Sequence, residues 1–330
     1  MRAEEATTPR DTRIFALDYV RAAAIVAVAV THAVPLSLEE LLTRNAMVVF
    51  AITAFHVPSF LFVSGFLSAS ASPTAEYVAS RLRRILVPYV VASVLAYLSG
   101  VATSTSVLNF AYRLVTGSML GHYYFIPVLG TCFLLVPLLS RIGDRGLVLT
   151  WIGLTLGAVV LWTRPTWRPG GFFWAVRDPI LQFHFGFFVS GTIAGRWAWR
   201  DPGSRFFNAY AGGLVAACVT AGWIWVAAWH SDLPVYPLLR IAYTGAVIAT
   251  IAACTANRHP PRIVRFLSEA SLPLYLYHWF AYVLFPAEMS PSSLALRILL
   301  VAPVGLAFAS LVALAGRRIL GERSRLLIGY

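Results

Sequence analysis

The chain has 330 residues, a formal net charge of +12, 58% hydrophobic residues and only 12% charged ones. Soluble domains carry roughly 45–50% apolar and about 25% charged residues, so a water-soluble fold of this length has no means of hiding so much apolar surface, whereas lipid solvates it. The composition therefore excludes an ordinary soluble enzyme and reads as one membrane domain over 1–330, with no stretch polar and long enough to form a second folded unit.

In chain order, a polar segment (1–13) precedes a first apolar run at 14–34. That run carries Asp18 and Arg21 and lacks a small-x-small cleavage site, so it reads as a retained first helix rather than a signal peptide. A hydrocarbon core of about 30 Å needs roughly 20 mostly apolar residues per helix. Further runs of that kind fall at 46–70, 85–104, 118–140, 146–163, 180–198, 209–229, 237–256, 266–286 and 293–316. The expected fold class is thus all-α, a polytopic membrane helix bundle of about ten transmembrane helices. Within 118–140, Pro127 and Pro137 allow a kink or a re-entrant segment. The link at 164–179, with Arg164, Arg168, Arg177, Trp167 and Trp174, has the make-up of an interfacial segment with aromatic anchors. Residues 317–330 are left as a C-terminal tail, with no appended soluble domain.

All 26 basic residues are Arg, and they are not gathered on one face or tail, which argues against a nucleic-acid partner. With the N-terminus inside, eighteen of them fall in cytoplasmic segments, five (Arg44, Arg113, Arg164, Arg168, Arg177) in the opposite loops, and three (Arg21, Arg240, Arg297) within or at the edge of helices. That asymmetry places both termini in the cytoplasm and assigns the chain to the cell membrane as a multi-pass protein. Cys132, Cys218 and Cys254 lie in apolar runs, far apart and without metal-ligand spacing, and read as free buried thiols. No metal site is expected.

An ionisable group inside a span costs a few kcal/mol and needs a partner or water. Arg21 and His32 are eleven residues apart, about three helical turns plus 20°, and so share one face with a rise of roughly 16 Å between them. Asp18 lies three residues before Arg21, within pairing range. Two readings stand: a snorkelling Arg with its counter-ion and a headgroup-level His, or a functional polar stripe. His56 in FHVPSFLFVSGF (55–66), close to Ser59, Ser64 and Gly65, is either a packing residue or part of a site. The same holds for His184 in QFHFGFFVSG and His278 in LPLYLYHWF. His122 precedes YYFIPVL and is expected at the outer interface, where Tyr123 and Tyr124 suit an aromatic belt. Arg81, Arg83 and Arg84 fit either anionic lipid or a phosphate clamp.

Together these segments resemble the integral membrane acyltransferase-3 family, and the resemblance covers nearly the whole chain. LDYVRAAAIVAVAVTH (17–32) is similar to the family's opening signature, an Arg and a His separated by ten residues. FHVPSFLFVSGF is similar to its second-helix motif. ASRLRRILVPYV (79–90) matches its Arg-x-x-Arg and Pro pattern through Arg81, Arg84 and Pro88. HYYFIPVL (122–129) resembles a segment where the family more often has Trp-Phe, with Tyr124 in place of the Trp. SEASLPLYLYHWF (268–280) resembles its late Ser…Tyr-Leu-x-His element, through Tyr275 and His278.

The resemblance implies O-acyl (O-acetyl) transfer from acetyl-CoA or another acyl-CoA, a co-substrate rather than a bound cofactor. The hydroxyl acceptor would be a sugar, a cell-envelope glycan or a glycosylated small molecule. It implies Arg81 and Arg84 as donor-binding residues, Arg21 orienting the donor, and His32 as general base or transient acyl carrier. An unperturbed imidazole titrates at about 6.5, suited to such a base. Asp18, His56, Ser64, His184, Tyr275 and His278 are expected in supporting or acceptor-side roles. Because some members carry a secreted hydrolase-like domain after the membrane domain, acceptor acylation is expected here from the membrane domain itself or from a partner protein. Membrane lipid is the surrounding partner, and self-association stays open. The alternative function class is a proton-coupled transporter or flippase, which buried Arg, Asp and His also suit; it would move its substrate without acyl-CoA and respond to a proton gradient.

Overall fold

A computed structural model describes residues 14–34, 43–102, 106–163, 179–200, 209–229, 235–255, 258–283 and 294–330. The N-terminal segment with Arg2, Arg10 and Arg13, and the link holding Arg164, Trp167, Arg168, Trp174 and Arg177, lie outside the described residues. Within them the fold is all-α, with no strand. The helices are α1 (Phe15–Ala33), α2 (Arg44–Thr53), α3 (His56–Ser68), α4 (Ala75–Leu98), α5 (Val107–Thr116), α6 (Phe125–Arg141) and α7 (Asp144–Thr163). They continue as α8 (Pro179–Arg200), α9 (Ala209–Trp229), α10 (Tyr236–Thr255), α11 (Arg262–Glu269), α12 (Ser271–Tyr282), α13 (Leu294–Leu320) and the single turn α14 (Ser324–Leu327). Among the described residues four helical segments are long and apolar enough to cross a membrane: Phe15–Ala33, Asn45–Ser68, Tyr236–Thr255 and the stretch beginning at Leu294. Their outer faces carry exposed leucines such as Leu299 and Leu311, an arrangement that water penalises and lipid does not.

Helix α1 occupies the centre, packing against α2, α3, α10, α11, α12 and α13. Its Ala, Val and Ile residues make this feasible. Val20, Ala24, Ile25, Val28 and Ala29 are essentially inaccessible, and their small volume lets several neighbours approach one helix.

The most extensive helix contact joins α3 to α8, and it depends on reciprocal glycines. A Cβ built on Gly65 would run into the carbonyl of Phe188, and one on Gly191 into the carbonyl of Phe62. Each backbone therefore lies directly on the other. Near the far end of α8, Arg196 closes the α6–α7 turn, donating to the carbonyls of Ile142 (2.7 Å) and Leu139 (2.9 Å) and to Asp144 (3.3 Å). A cation at a helix C-terminus satisfies carbonyls that have no intrahelical partner.

Several sequence expectations need correction. The run at 46–70 is two helices, broken at Ala54–Phe55. Likewise 266–286 is α11 followed by α12, broken at Ala270. The expected span at 118–140 begins only at Phe125, because residues 118–124 form turns. Helix α4 starts at Ala75 rather than 85, so Arg81 and Arg84 are helical. Helix α5 was not anticipated; it is capped by Ser106, whose Oγ accepts from Asn109 N (3.1 Å), and is closed by Gly117 at φ 71°. Its apolar residues are too few and too one-sided to register as a span. Cys132 is buried as expected, but Cys218 and Cys254 are free thiols on the outer surface rather than in the core. Residues 321–330 are not a loose tail but fold back on the bundle.

If the α3–α8 approach is as close as described, Gly191→Ala should cost about 1–3 kcal/mol in overpacking. Gly222→Ala on α9, where a Cβ meets nothing within 4 Å, should be neutral or stabilising by up to about 1 kcal/mol. Reversible unfolding in mixed detergent micelles measures both; equal stability of the two variants would refute the contact.

Candidate active site

The polar stripe on α1 is used at both ends. At its N-terminal end the Asp18 carboxylate, 3% exposed, accepts a hydrogen bond from Ser268 Oγ on α11 at 2.7 Å and lies 4.0 Å from Arg21 Nη2. A buried carboxylate is tolerable only with such partners. Ser268, a member of the late motif, ties α11 to α1 through the same carboxylate that faces Arg21.

At the opposite end His32 meets two further histidines. The ring centroids of His32, His122 and His278 are 5.1, 5.3 and 4.9 Å apart. Trp279 lies 5.4 Å from His32, edge-on, and 5.5 Å from His122. His278 Nδ1 lies 3.0 and 2.9 Å from the carbonyls of Leu274 and Tyr275. A carbonyl only accepts, so Nδ1 carries the proton and, in the neutral ring, Nε2 keeps its lone pair. That Nε2 is buried without a protein hydrogen-bond partner among the described residues, as are both ring nitrogens of His122. His56 lies within electrostatic range of His32 and His278, and Arg240 within range of His56. The Nδ1 of His56 is held by the Thr53 carbonyl at 2.5 Å.

His122 is the residue that sequence reasoning misplaced. It is 3% exposed, and Tyr123 after it is fully buried, so neither belongs to an interfacial belt. The turns at 118–124 fold inward, and Tyr123 donates its hydroxyl to Leu276 O on α12 at 2.7 Å. The Tyr275 hydroxyl returns the bond by donating to the His122 carbonyl. His184, also buried, sits elsewhere, with its ring 6.0 Å from that of Tyr124.

A cavity of about 840 Å³ begins below this cluster, and its lining includes Arg21, Ser64, Arg81, Arg84 and Tyr275. Phe60 and Phe125 form apolar wall beside Tyr275, whose ring centroid is 5.3 Å from His122 and 6.4 Å from His278. Arg81 stacks on Tyr77, 5.1 Å from its ring centre. Of the expected site residues, Arg21, Ser64, Arg81, Arg84 and Tyr275 thus share the cavity. His32 and His278 stand behind Tyr275, with His56 nearby, and Asp18 supports Arg21. Chemically this is a cavity lined by both guanidinium groups and apolar side chains, and packed against its Tyr275 are imidazole nitrogens that have no protein hydrogen-bond partner among the described residues. Among the described residues no group of three His, Cys, Asp or Glu is arranged to hold a metal ion.

The family model for acyltransferase-3, described as an acyltransferase domain, matches residues 14–316. No curated protein and no solved structure matches the chain.

Ser268→Ala removes a buried donor to a carboxylate and is expected to cost about 1.5–3 kcal/mol. Ser271→Ala on the cavity wall should stay within about 0.5 kcal/mol. Denaturant titration in detergent compares them, and an unaffected Ser268→Ala would contradict the proposed tie between α1 and α11.

Proposed function

The chain belongs to the acyltransferase-3 family, and on that footing we propose that it is a membrane-embedded O-acyltransferase. It moves an acetyl or other acyl group from acyl-CoA to a hydroxyl of a sugar, glycan or glycosylated small molecule. One observation carries this reading: the arginine-lined cavity includes Tyr275 in its lining, and Tyr275 is bonded to His122 within the His32–His122–His278 cluster. A volume of about 840 Å³ suits an extended small-molecule ligand, and guanidinium groups at its mouth suit phosphates.

On this reading ten spans are assigned to α1, α2 with α3, α4, α6, α7, α8, α9, α10, α11 with α12, and α13. The Arg asymmetry supports an orientation with both termini, and the mouth of the cavity, on the cytoplasmic side of the cell membrane. The donor then enters from the cytoplasm with its phosphates at Arg81 and Arg84. Its thioester arm passes Arg21, and its acyl group lies against Phe60 and Phe125, next to Tyr275.

In the base mechanism His32 takes the proton of the acceptor hydroxyl as that oxygen attacks the thioester carbonyl. The carbon–sulfur bond breaks, and the imidazolium returns its proton to the leaving thiolate. In the covalent variant His32 itself attacks the thioester carbonyl, the carbon–sulfur bond breaks and the thiolate takes the imidazole proton; an acceptor hydroxyl then attacks the acyl carbon, breaking the carbon–nitrogen bond and returning its proton to the freed imidazole. His278, with Nδ1 committed to backbone carbonyls, and His122, packed between His278 and Trp279, orient His32 and bind the acceptor. His56 contributes from the adjoining helix.

Proton transfer by a positioned residue is worth typically about 10²–10⁴-fold. His32→Ala in purified protein, assayed with labelled acetyl-CoA and candidate glycan acceptors, should therefore lose at least about 10²-fold in kcat with little change in donor affinity. Full activity in that variant would remove the mechanism. Rapid-quench trapping of label on His32 before acceptor is added selects the covalent route, and turnover without any adduct selects the base route.

A further inference from the structure

The cavity has a second basic wall, supplied by the end of the chain. After α13, residues Gly321–Arg323 form a 3₁₀ turn and α14 a single α-turn, and the chain then reverses onto the bundle. Ser324, 2% exposed, accepts at its carbonyl from the amides of Ile328, Gly329 and Tyr330, and its Oγ donates to the Tyr330 carbonyl at 3.1 Å. Ile328 enters the main core beside Gly316. Gly329, at φ +84°, lies against Leu272 of α12 and Pro88 of α4, where a Cβ would approach within 2.7 Å of Leu272. Tyr330 packs on Phe266 and under Arg317, which also donates to its hydroxyl at 3.2 Å. The segment is thus anchored at several points, and together with the last turn of α13 it presents Arg325 and Arg317 to the same cavity that Arg81 and Arg84 line from α4.

Two wall carboxylates, Glu269 and Glu322, also face this cavity. Among the described residues, however, none of Arg81, Arg84, Arg317 or Arg325 forms an ion pair. With Arg21, five arginines line the cavity against two carboxylates, and the excess of positive charge is self-repelling unless a further anion balances it. A single phosphate is fully bound by one or two bidentate arginines. Arg81 and Arg84 from α4 with Arg317 and Arg325 from the C-terminal region match a ligand with several phosphates.

We infer that the C-terminal segment 317–330 is the nucleotide-reading half of the donor site, with Arg317 and Arg325 binding phosphates of the CoA moiety opposite Arg81 and Arg84. This rests on the acyl-CoA reading given above. The segment then sets preference for a full coenzyme thioester over a truncated one, because only the former reaches the phosphate-binding wall.

The experiment compares acetyl-CoA with acetyl-pantetheine, which lacks the nucleotide, as donors for the full-length protein. It is run in neutral detergent and again in phosphatidylglycerol nanodiscs. Arg325→Ala and Arg317→Ala are each expected to raise the KM for acetyl-CoA by roughly 10- to 100-fold and to lower the acetyl-CoA to acetyl-pantetheine selectivity by the same factor. Arg325→Lys should recover part of the loss. Unchanged selectivity in wild-type-like protein, equal weakening of both donors, or an effect confined to the anionic nanodiscs would overturn the assignment, the last marking the wall as a lipid-headgroup site. Wild-type protein that turns over neither donor would instead remove the acyl-CoA reading and this inference with it.

Discussion

Everything in this architecture depends on keeping a carboxylate stable inside the packed centre of an apolar bundle, beside a guanidinium that lines the cavity. Asp18 is buried on the central helix, and an unpaired charge there would cost several kcal/mol. Ser268 and Arg21 meet that requirement from different sides. The arrangement fixes the rotation of α1 about its own axis. Once Asp18 faces α11 and Arg21 faces the cavity, the 100° step of the helix decides that His32 is presented to the turn at 118–124 and to α12.

A second constraint makes room for the ligand. Where α3 lies on α8 the backbones touch through Gly65 and Gly191, so this side of the bundle is closed to its limit. Space is left on the other side of α3, where α4, α6, α12 and the C-terminal turn stand apart around the cavity. Tyrosine hydroxyls then brace the site across helices. Tyr123 reaches α12, Tyr275 reaches the 118–124 turn, and Tyr282 reaches Ala29 O on α1 at 2.9 Å. Each of these bonds uses a backbone carbonyl as an additional acceptor, a means of joining helices where no water competes.

Legibility in the sequence varied with the range of the interaction concerned. The Arg21–His32 stripe and the Asp18 partner were readable because they lie on one helix, where spacing alone sets geometry. Ser64, Arg81, Arg84, Tyr275 and His278 were legible as motif members, but nothing local said that they surround one cavity. His122 was misread because His-Tyr-Tyr before an apolar helix has the composition of an interfacial belt. The inward fold of the turn, held by bonds to residues some 150 positions away, leaves no local pattern. Helix α5 and the C-terminal turn were passed over for a related reason, since each is too short or too polar to register as a span.

Composition, the apolar runs and the distribution of arginine determined by themselves that this is an all-α membrane chain, and helical periodicity put a guanidinium and an imidazole on one face of its first helix. These follow from the energetics of single segments in lipid, which depend on sequence alone. Only the tertiary structure decided which histidines meet, where the cavity opens and that the end of the chain walls it. Those depend on contacts between helices far apart in sequence, whose rotation and depth are settled jointly by burial of Asp18, the glycine crossing and the tyrosine bonds.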